Sequence, residues 1–148
     1  MKPDQTHRNA RNQRTGATFQ KQLDGYHATL LGQGAARVYR TAPEVRQTGH
    51  NTAVIVGKGP VDYIAFCANG HAIHFDAKSR AGDDFYTEDE GQVQWLRQMA
   101  TWGFTAGWMV QWHEHNEVRW HPISTIGKRV FRRDGILVPH GHWFDIVH

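Results

Sequence analysis

The length, composition and charge of the chain are those of one globular domain. It has 148 residues, of which 39% are hydrophobic and 21% charged, enough for a sizeable core. No apolar run is long enough to span a membrane, and the amino-terminal stretch lacks the apolar segment of a secretory signal. The formal net charge of +3 fits a nucleic-acid partner without requiring one. The single Cys67 excludes an internal disulfide, and we expect a cytoplasmic protein.

The amino-terminal stretch is polar and basic. Residues 1–15 include Arg8, Arg11 and Arg14 and show no hydrophobic period, so we expect a flexible basic arm, followed by a single folded domain over residues 16–148. Such an arm suits a phosphate backbone, although a solvated tail explains the same residues equally well.

Two helices and one sheet are predicted in chain order. Apolar residues recur at helical spacing over residues 16–31, which predicts the first helix. A second helix is predicted to end at Trp102, and Thr87 and Glu90 form a capping-box pattern at its start. Alternating or β-branched runs predict strands over 35–41, 62–67, 71–78, 105–112 and 118–120. The segment 44–58 is either a loop or a protruding hairpin. Because each helix must cover one side of a mixed sheet, we expect a three-layer α/β/α domain.

The hairpin over residues 59–80 places acidic residues in register. Its strands flank Ala68-Asn69-Gly70. If only the last two of these residues formed the loop, Asp62 would lie opposite Ala77. If all three form it, with the glycine in the left-handed conformation that it tolerates, Asp62 faces Asp76. Opposed Cβ atoms lie about 4.5–5.5 Å apart, and Lys78 shares their face roughly 7 Å along the strand.

Two carboxylates at this separation repel unless a cation lies between them. Asp62, Asp76 and the backbone carbonyl of Ala77 are oxygen ligands that suit Mg²⁺ or Mn²⁺. Lys78 beside them is placed to hold a water or a phosphate oxygen, so the group predicts metal-assisted hydrolysis of a phosphodiester. The alternative is a solvated strand edge on which Asp76 and Lys78 form a surface ion pair.

Other polar clusters give weaker signals. His113-x-His115 and His140-x-His142 suggest zinc, but neither a cysteine pair nor an H-E-x-x-H motif accompanies them. His74 shares the predicted carboxylate face and is expected near the site. The six tryptophans mostly follow core periodicities. Four basic residues cluster before Gly135: Lys128, Arg129, Arg132 and Arg133.

The motif G-x-x-D, followed after thirteen residues by D-x-K, resembles the PD-(D/E)xK nuclease superfamily. More narrowly, the chain is similar to the Holliday-junction resolvases of the RecU and Hjc type, found in bacteria, phages and archaea. The likeness extends from about Arg14 to Trp120 and rests on these segments: Arg14-Thr15-Gly16 with Phe19-Gln20, Tyr39 to Pro43, Gly59 to Tyr63, Phe75 to Ser79, and Gln92 before Gly103. It implies a restriction-endonuclease-like core, and the small size favours a phage origin.

The resemblance also implies roles for individual residues. Asp62, Asp76 and the Ala77 carbonyl would bind Mg²⁺ or Mn²⁺, Lys78 would orient or activate the attacking water, and Gln92 would lie near the active site or the DNA backbone. Family members are homodimers that resolve four-way DNA junctions by paired symmetric nicks, leaving a 5′-phosphate and a 3′-hydroxyl. The basic residues expected to contact DNA are Arg8, Arg11, Arg14, Arg37, Arg40, Lys58 and Arg80.

The chain departs from the family pattern at three points. Gln20 stands where the family usually has Glu, and this neutral amide leaves open whether the site binds one metal ion or two. Asp76 replaces the usual Glu, and the segment 43–59 is shorter than the RecU stalk. Two alternatives remain: a repair, restriction or nicking nuclease on the same core, or a catalytically degenerate module that only binds branched DNA.

Overall fold

The computed structural model describes residues 3–41, 44–47, 49–50, 53–57, 61–87, 90–139 and 142–148. Within these ranges the helices are α1 (Pro3–Gly32), α2 (Glu90–Thr101) and α3 (Phe144–Val147). The strands are β1 (Ala36–Arg40), β2 (Glu44–Gln47), β3 (Ala53–Gly57), β4 (Tyr63–Cys67), β5 (Ala72–Arg80), β6 (Asp84–Tyr86), β7 (Thr105–Trp112), β8 (Glu117–Pro122), β9 (Arg129–Phe131) and β10 (Ile136–Val138).

Six strands form one mixed sheet in the order β1-β4-β5-β7-β8-β10. Neighbouring strands are antiparallel except for β5 and β7, which run parallel. A parallel pair needs a long crossover connection, and the chain between β5 and β7 supplies it with α2. Two further ribbons, β2-β3 and β6-β9, form separate two-stranded sheets.

The two long helices cover opposite faces of the sheet. Phe19 and Leu23 of α1 pack with Tyr63 and Phe75 in one buried cluster. Leu96 of α2 packs on the other face, in a second cluster that includes Trp108, Trp112 and Val110. Burying a large apolar side chain contributes about 1.5–3 kcal/mol, so each helix is held mainly by this packing. The predicted three-layer α/β/α arrangement is confirmed.

The start of the first helix differs from the prediction. Helix α1 begins at Pro3 rather than Gly16, so most of the expected arm has helical backbone. Local hydrophobic periodicity gave no signal there because this stretch is polar. Its side chains before Thr15 lie outside the described part of the structure, and the division into an arm and a domain stays a prediction.

Two other local predictions concern α2 and the segment 44–58. Helix α2 is described from Glu90, and the Thr87 hydroxyl donates to the carbonyl of Gly127 at 2.6 Å. This hydrogen bond ties Thr87 to the loop before β9, and the predicted capping box with Glu90, whose side chain lies outside the described part of the chain, stays a prediction. The segment 44–58 contains the β2-β3 hairpin rather than a loop. Its Lys58 lies outside the described residues.

The described helices give no sign of a membrane span. Among them, none combines the length and the apolar character that crossing a bilayer requires.

Two buried histidines are held neutral in the core. Trp143 Nε1 donates to His27 Nε2 at 3.0 Å, and Trp112 Nε1 donates to His121 Nε2 at 3.2 Å. Burial is the main cause that lowers the pKa of each imidazole from 6.5 to about 4. Both rings therefore accept their hydrogen bonds as neutral groups at physiological pH.

We predict that the free energy of unfolding falls between pH 7 and pH 5, because these histidines take up a proton only when the chain unfolds. A folded-state pKa below the unfolded value gives stability that is present above the unfolded pKa and is lost as pH falls. The expected loss is about 2 kcal/mol per histidine at pH 5. In His27→Gln, whose amide oxygen can still accept from Trp143, that share of the pH dependence should disappear.

Urea unfolding followed by tryptophan fluorescence at several pH values measures this dependence. The control is His50→Gln, which changes an exposed histidine and should keep the wild-type slope. A His27→Gln protein with an unchanged slope would contradict the assignment of the buried neutral imidazole.

Candidate active site

The β4-β5 hairpin has the register that the sequence predicts. Tyr63 pairs with Phe75, and the loop is Ala68-Asn69-Gly70, closed by a hydrogen bond from the Cys67 amide to the His71 carbonyl at 2.9 Å. Gly70 has φ 87°, the left-handed conformation that a glycine adopts without strain. Asp62 therefore lies just before β4, at the end of the hairpin where it meets Asp76.

Backbone amides hold the two carboxylates against each other. The Asp62 amide donates to Asp76 Oδ1 at 3.1 Å, and the Ala77 amide donates to Asp62 Oδ2 at 3.0 Å. Each acid thus accepts a hydrogen bond from the segment that carries the other. The crossed pair fixes both side chains with a precision that a surface ion pair lacks.

This arrangement keeps two acids together in a largely buried position. Asp76 is only 3% exposed. Burial, and then the charge of Asp76, raise the pKa of Asp62 from 3.8 to about 7. The ionised pair is unfavourable by itself, which is the condition in which a cation stabilises a site.

Lys78 supplies the first positive charge. Its Nζ lies 2.8 Å from Asp76 Oδ2 and 4.7 Å from the centroid of the Trp108 ring. The Phe85 ring stacks on Trp108 at 5.7 Å, and the Arg80 guanidinium lies 4.9 Å from the Phe85 centroid. Two aromatic rings between two cations form the stack Lys78-Trp108-Phe85-Arg80, which we call the aromatic column. The ammonium group is therefore held in place by both Asp76 and Trp108.

An open cleft of about 440 Å³ adjoins these residues, between α1 and the end of β5. Its described lining residues are Gly16, Ala17, Gln20, Ala77, Lys78, Ser79 and Arg80. The cleft thus brings Gln20 of α1 beside the end of β5 that carries Lys78 and Arg80. Its floor is anchored by Ser79, whose hydroxyl lies 3.0 Å from Thr15 Oγ1 and 3.1 Å from Gln111 Oε1.

Gln20 belongs to a polar network that joins α1 to the sheet. Arg40 Nη2 donates to Gln20 Oε1 at 2.8 Å, and its Nη1 lies 3.9 Å from Asp24 Oδ2. The Tyr63 hydroxyl donates to Asp24 Oδ1 at 3.3 Å. The amide oxygen of Gln20 therefore already has a positively charged partner, one that a carboxylate would also accept.

The remaining predicted residues whose side chains the structure describes do not line this cleft. Arg37 and Arg40 line a second recess, of about 250 Å³, against α1. Gln92 lies in the first turn of α2 and is not among the described residues that line the 440 Å³ cleft. His74 is buried, and its ring lies near those of Trp95 and Phe104. The side chains of Arg8, Arg11 and Arg14, and the whole of Lys58, lie outside the described part of the chain.

The described residues do not form a metal cluster with three or more protein side chains. No group of three His, Cys, Asp or Glu residues that could hold an ion is present among them. His113 and His115 lie in the turn 113–116, and His115 Nε2 lies 3.0 Å from Asp83 Oδ1. The two aspartates of the hairpin therefore remain the candidate ligands.

The sequence did not reveal two contributors to this site, Trp108 and Phe85. Alternation on β7 indicated that Trp108 faces a core, but no local pattern indicates that it contacts Lys78. That contact follows from the parallel pairing of β5 with β7, in which Asp76 is opposite Trp108. Phe85 reaches the site from β6, a short strand that was not predicted.

Comparison with known proteins shows similarity at the level of the fold. No protein-family model matches the chain, and no curated protein matches it. Among solved structures, Hjc of Archaeoglobus fulgidus, a Holliday junction resolvase from an archaeal hyperthermophile, matches with a TM-score of 0.55. The match covers 82% of this chain and 95% of that chain at 14% identity. The six-stranded mixed sheet with its two covering helices thus has the restriction-endonuclease-like fold.

Proposed function

We propose that this chain is a divalent-metal-dependent endonuclease of the RecU and Hjc type, which resolves four-way DNA junctions by paired symmetric nicks. One observation carries the proposal: Asp62 and Asp76 are held together across the β4-β5 hairpin, with the Lys78 ammonium 2.8 Å from Asp76. The fold shared with a Holliday junction resolvase supports it. We expect this activity in the cytoplasm.

The donor set at the hairpin fits one Mg²⁺ or Mn²⁺ ion. Asp62, Asp76 and the Ala77 carbonyl would hold it, since hard oxygen ligands suit both metals. The two carboxylates are already arranged by backbone amides, and burial, followed by the charge of Asp76, raises the pKa of Asp62, so a cation bound between them would be stabilising. When bound, such an ion supplies Lewis-acid polarisation of the phosphodiester and a water of lowered pKa.

The side chains of the cleft would then position the reactants. Lys78 donates to the attacking water or to a non-bridging phosphate oxygen and offsets the charge that develops there. Gln20 orients a water from the α1 side. The oxygen of the attacking water bonds to phosphorus, and the bond from phosphorus to O3′ breaks. The proton that the water loses goes to O3′. The products are a 5′-phosphate and a 3′-hydroxyl.

Basic residues around the cleft would bind the phosphates on either side. Arg80 lines the cleft, and Arg37 and Arg40 lie on β1 at the neighbouring recess. Gln92, Lys58 and the three arginines of α1 are proposed to extend this surface. Because a four-way junction needs two symmetric nicks, we propose that the chain works as a homodimer with one site per subunit.

The second candidate is a module that binds branched DNA without cutting it. The hydrogen bond from Arg40 to Gln20 favours this alternative, because it places an arginine and a neutral amide where the related resolvases usually have Glu. Cleavage assays distinguish the two functions directly.

We predict that Asp76→Asn and Lys78→Ala each lower the rate of junction cleavage in Mg²⁺ by at least about 100-fold, because each removes a charge at the reacting phosphate. Junction binding measured in EDTA should stay within a few-fold of the wild-type value. The matched controls are Asp145→Asn and Lys21→Ala, which change exposed residues on α3 and α1 and should cut normally.

Substrate comparison completes this test. Four-way junctions, flaps and linear duplexes are cut in parallel, with and without Mg²⁺ or Mn²⁺. Equal cleavage of linear duplex would contradict a resolvase, and tight junction binding with no turnover in either metal would favour the binding module. Cleavage by either site variant at the wild-type rate would show that the catalytic residues lie elsewhere.

We predict that Asp62→Asn stabilises the metal-free protein at pH 8. The pKa of Asp62 is raised in the folded chain, so its ionised form costs stability above about pH 7 and has no such cost below its unfolded pKa. The gain should be on the order of 1 kcal/mol or more in urea unfolding with EDTA, whereas Asp145→Asn should stay within about 0.5 kcal/mol of wild type. A destabilised Asp62→Asn protein at pH 8 would contradict the apposed-carboxylate arrangement.

We predict that each chain binds one Mn²⁺ ion, because the hairpin offers two carboxylates and the Gln20 side chain adds no charge. Electron paramagnetic resonance of free Mn²⁺ during a titration gives the stoichiometry, independently of activity. Asp62→Asn should weaken binding at least tenfold, an estimate for the loss of one charged ligand. Saturation at two ions per chain would show that further ligands lie outside this pair.

A further inference from the structure

The β6-β9 ribbon has two distinct faces. In its register Tyr86 is opposite Arg129, and Phe85 is opposite Val130. Phe85 and Val130 point inward, where Val130 is 1% exposed and joins the core below α2. Tyr86 points outward and is 68% exposed, with the Arg129 guanidinium 5.5 Å from its ring centroid. The outer face therefore presents an aromatic ring beside a cation.

The inner face places this ribbon beside the candidate active site. Phe85 stacks on Trp108, and the Lys78 ammonium lies against Trp108. A nucleic-acid strand whose phosphate reaches Lys78 therefore has the ribbon as its neighbour. The position of the ribbon follows from these ring contacts and does not depend on any assumed pose of the substrate.

The four basic residues of this cluster differ in whether an acidic side chain of the protein already pairs with them. Arg132 is bound within the protein, at 3.0 Å from Asp83 Oδ1 and 2.9 Å from Glu117 Oε2. Arg129 forms an ion pair with Asp84. Lys128 and Arg133 are exposed and make no ion pair with any acidic side chain that the structure describes. Two cations of the cluster thus remain available to a partner.

We infer that the outer face of the β6-β9 ribbon is a second nucleic-acid contact surface. Tyr86, with Arg129 beside it, stacks an exposed base, and Lys128 and Arg133 contact phosphates of the same strand. Stacking on an aromatic ring tolerates any base, since every base has a π-face. The phosphate contacts add affinity without sequence preference.

This inference rests on the proposed function for the kind of DNA involved. A stacking ring needs a base that is not fully stacked in a duplex, as at a branch point or in a single strand. The ribbon should therefore favour branched or single-stranded DNA over continuous duplex. It also gives a role to the segment after Trp120, beyond the reach of the family resemblance.

The test is DNA binding in EDTA by fluorescence anisotropy, with junction, single-stranded and duplex probes. Tyr86→Ala should weaken binding to the junction and the single strand about tenfold, and binding to the duplex less. Tyr86→Phe, which keeps the ring, should bind within about twofold of wild type, because it retains the stacking face. This pair of variants separates stacking from a general loss of structure.

The charges are tested by the salt dependence of the same binding. The double variant Lys128→Ala/Arg133→Ala should lower the slope of log affinity against log salt by about 2, or somewhat less on a single strand. The control is Lys21→Ala, an exposed cation on α1, which should keep the wild-type slope. Thermal unfolding of each variant shows that the fold is intact.

The outcomes separate this inference from the proposed function. If the wild type cuts junctions while the ribbon variants bind DNA with unchanged affinity and slope, the ribbon inference is overturned and the function stands. If the wild type binds DNA through the ribbon but cuts nothing, the proposed nuclease function is overturned and the ribbon inference stands. A change in oligomeric state in place of DNA affinity would identify the ribbon as a protein interface and overturn the inference. A wild type that binds no DNA overturns both.

Discussion

Two backbone-to-carboxylate hydrogen bonds, Asp62 amide to Asp76 and Ala77 amide to Asp62, organise everything proposed for this chain. They hold two acids together in a largely buried position, where burial and then the charge of Asp76 raise the pKa of Asp62. A folded protein keeps such an arrangement only when the rest of the structure determines it, and here the hairpin register does so. The unfavourable pair is stabilised in part by Lys78 and would be stabilised further by a divalent cation.

Strand β5 carries one aspartate of this pair and presents side chains to both faces of the sheet. Its residues alternate, so that Asp76 and Lys78 face the α2 side with Trp108, while Ser79 faces Thr15 of α1. The cleft beside Gln20 and the aromatic column are thus positioned by a single central strand. This strand pairs on both sides in the sheet, which gives the candidate site a rigid support.

The sequence predicted the features that depend on local chemistry. The glycine-ended loop gave the hairpin register, and helical spacing gave the core faces of α1 and α2. The features it missed depend on pairing between distant segments: β6 with β9, and Trp108 with Lys78. Trp102 was expected on the buried face of its helix but is 65% exposed, because α2 ends at Thr101. Local periodicity cannot reveal where a helix leaves the core.

The central claim is that the paired aspartates of the hairpin form a metal site, and anomalous diffraction from a Mn²⁺-soaked crystal tests it most directly. The account predicts one strong anomalous peak per chain, within coordination distance of the carboxylate oxygens of both Asp62 and Asp76. An absent peak at saturating Mn²⁺, or a peak bound only by other residues, would contradict it.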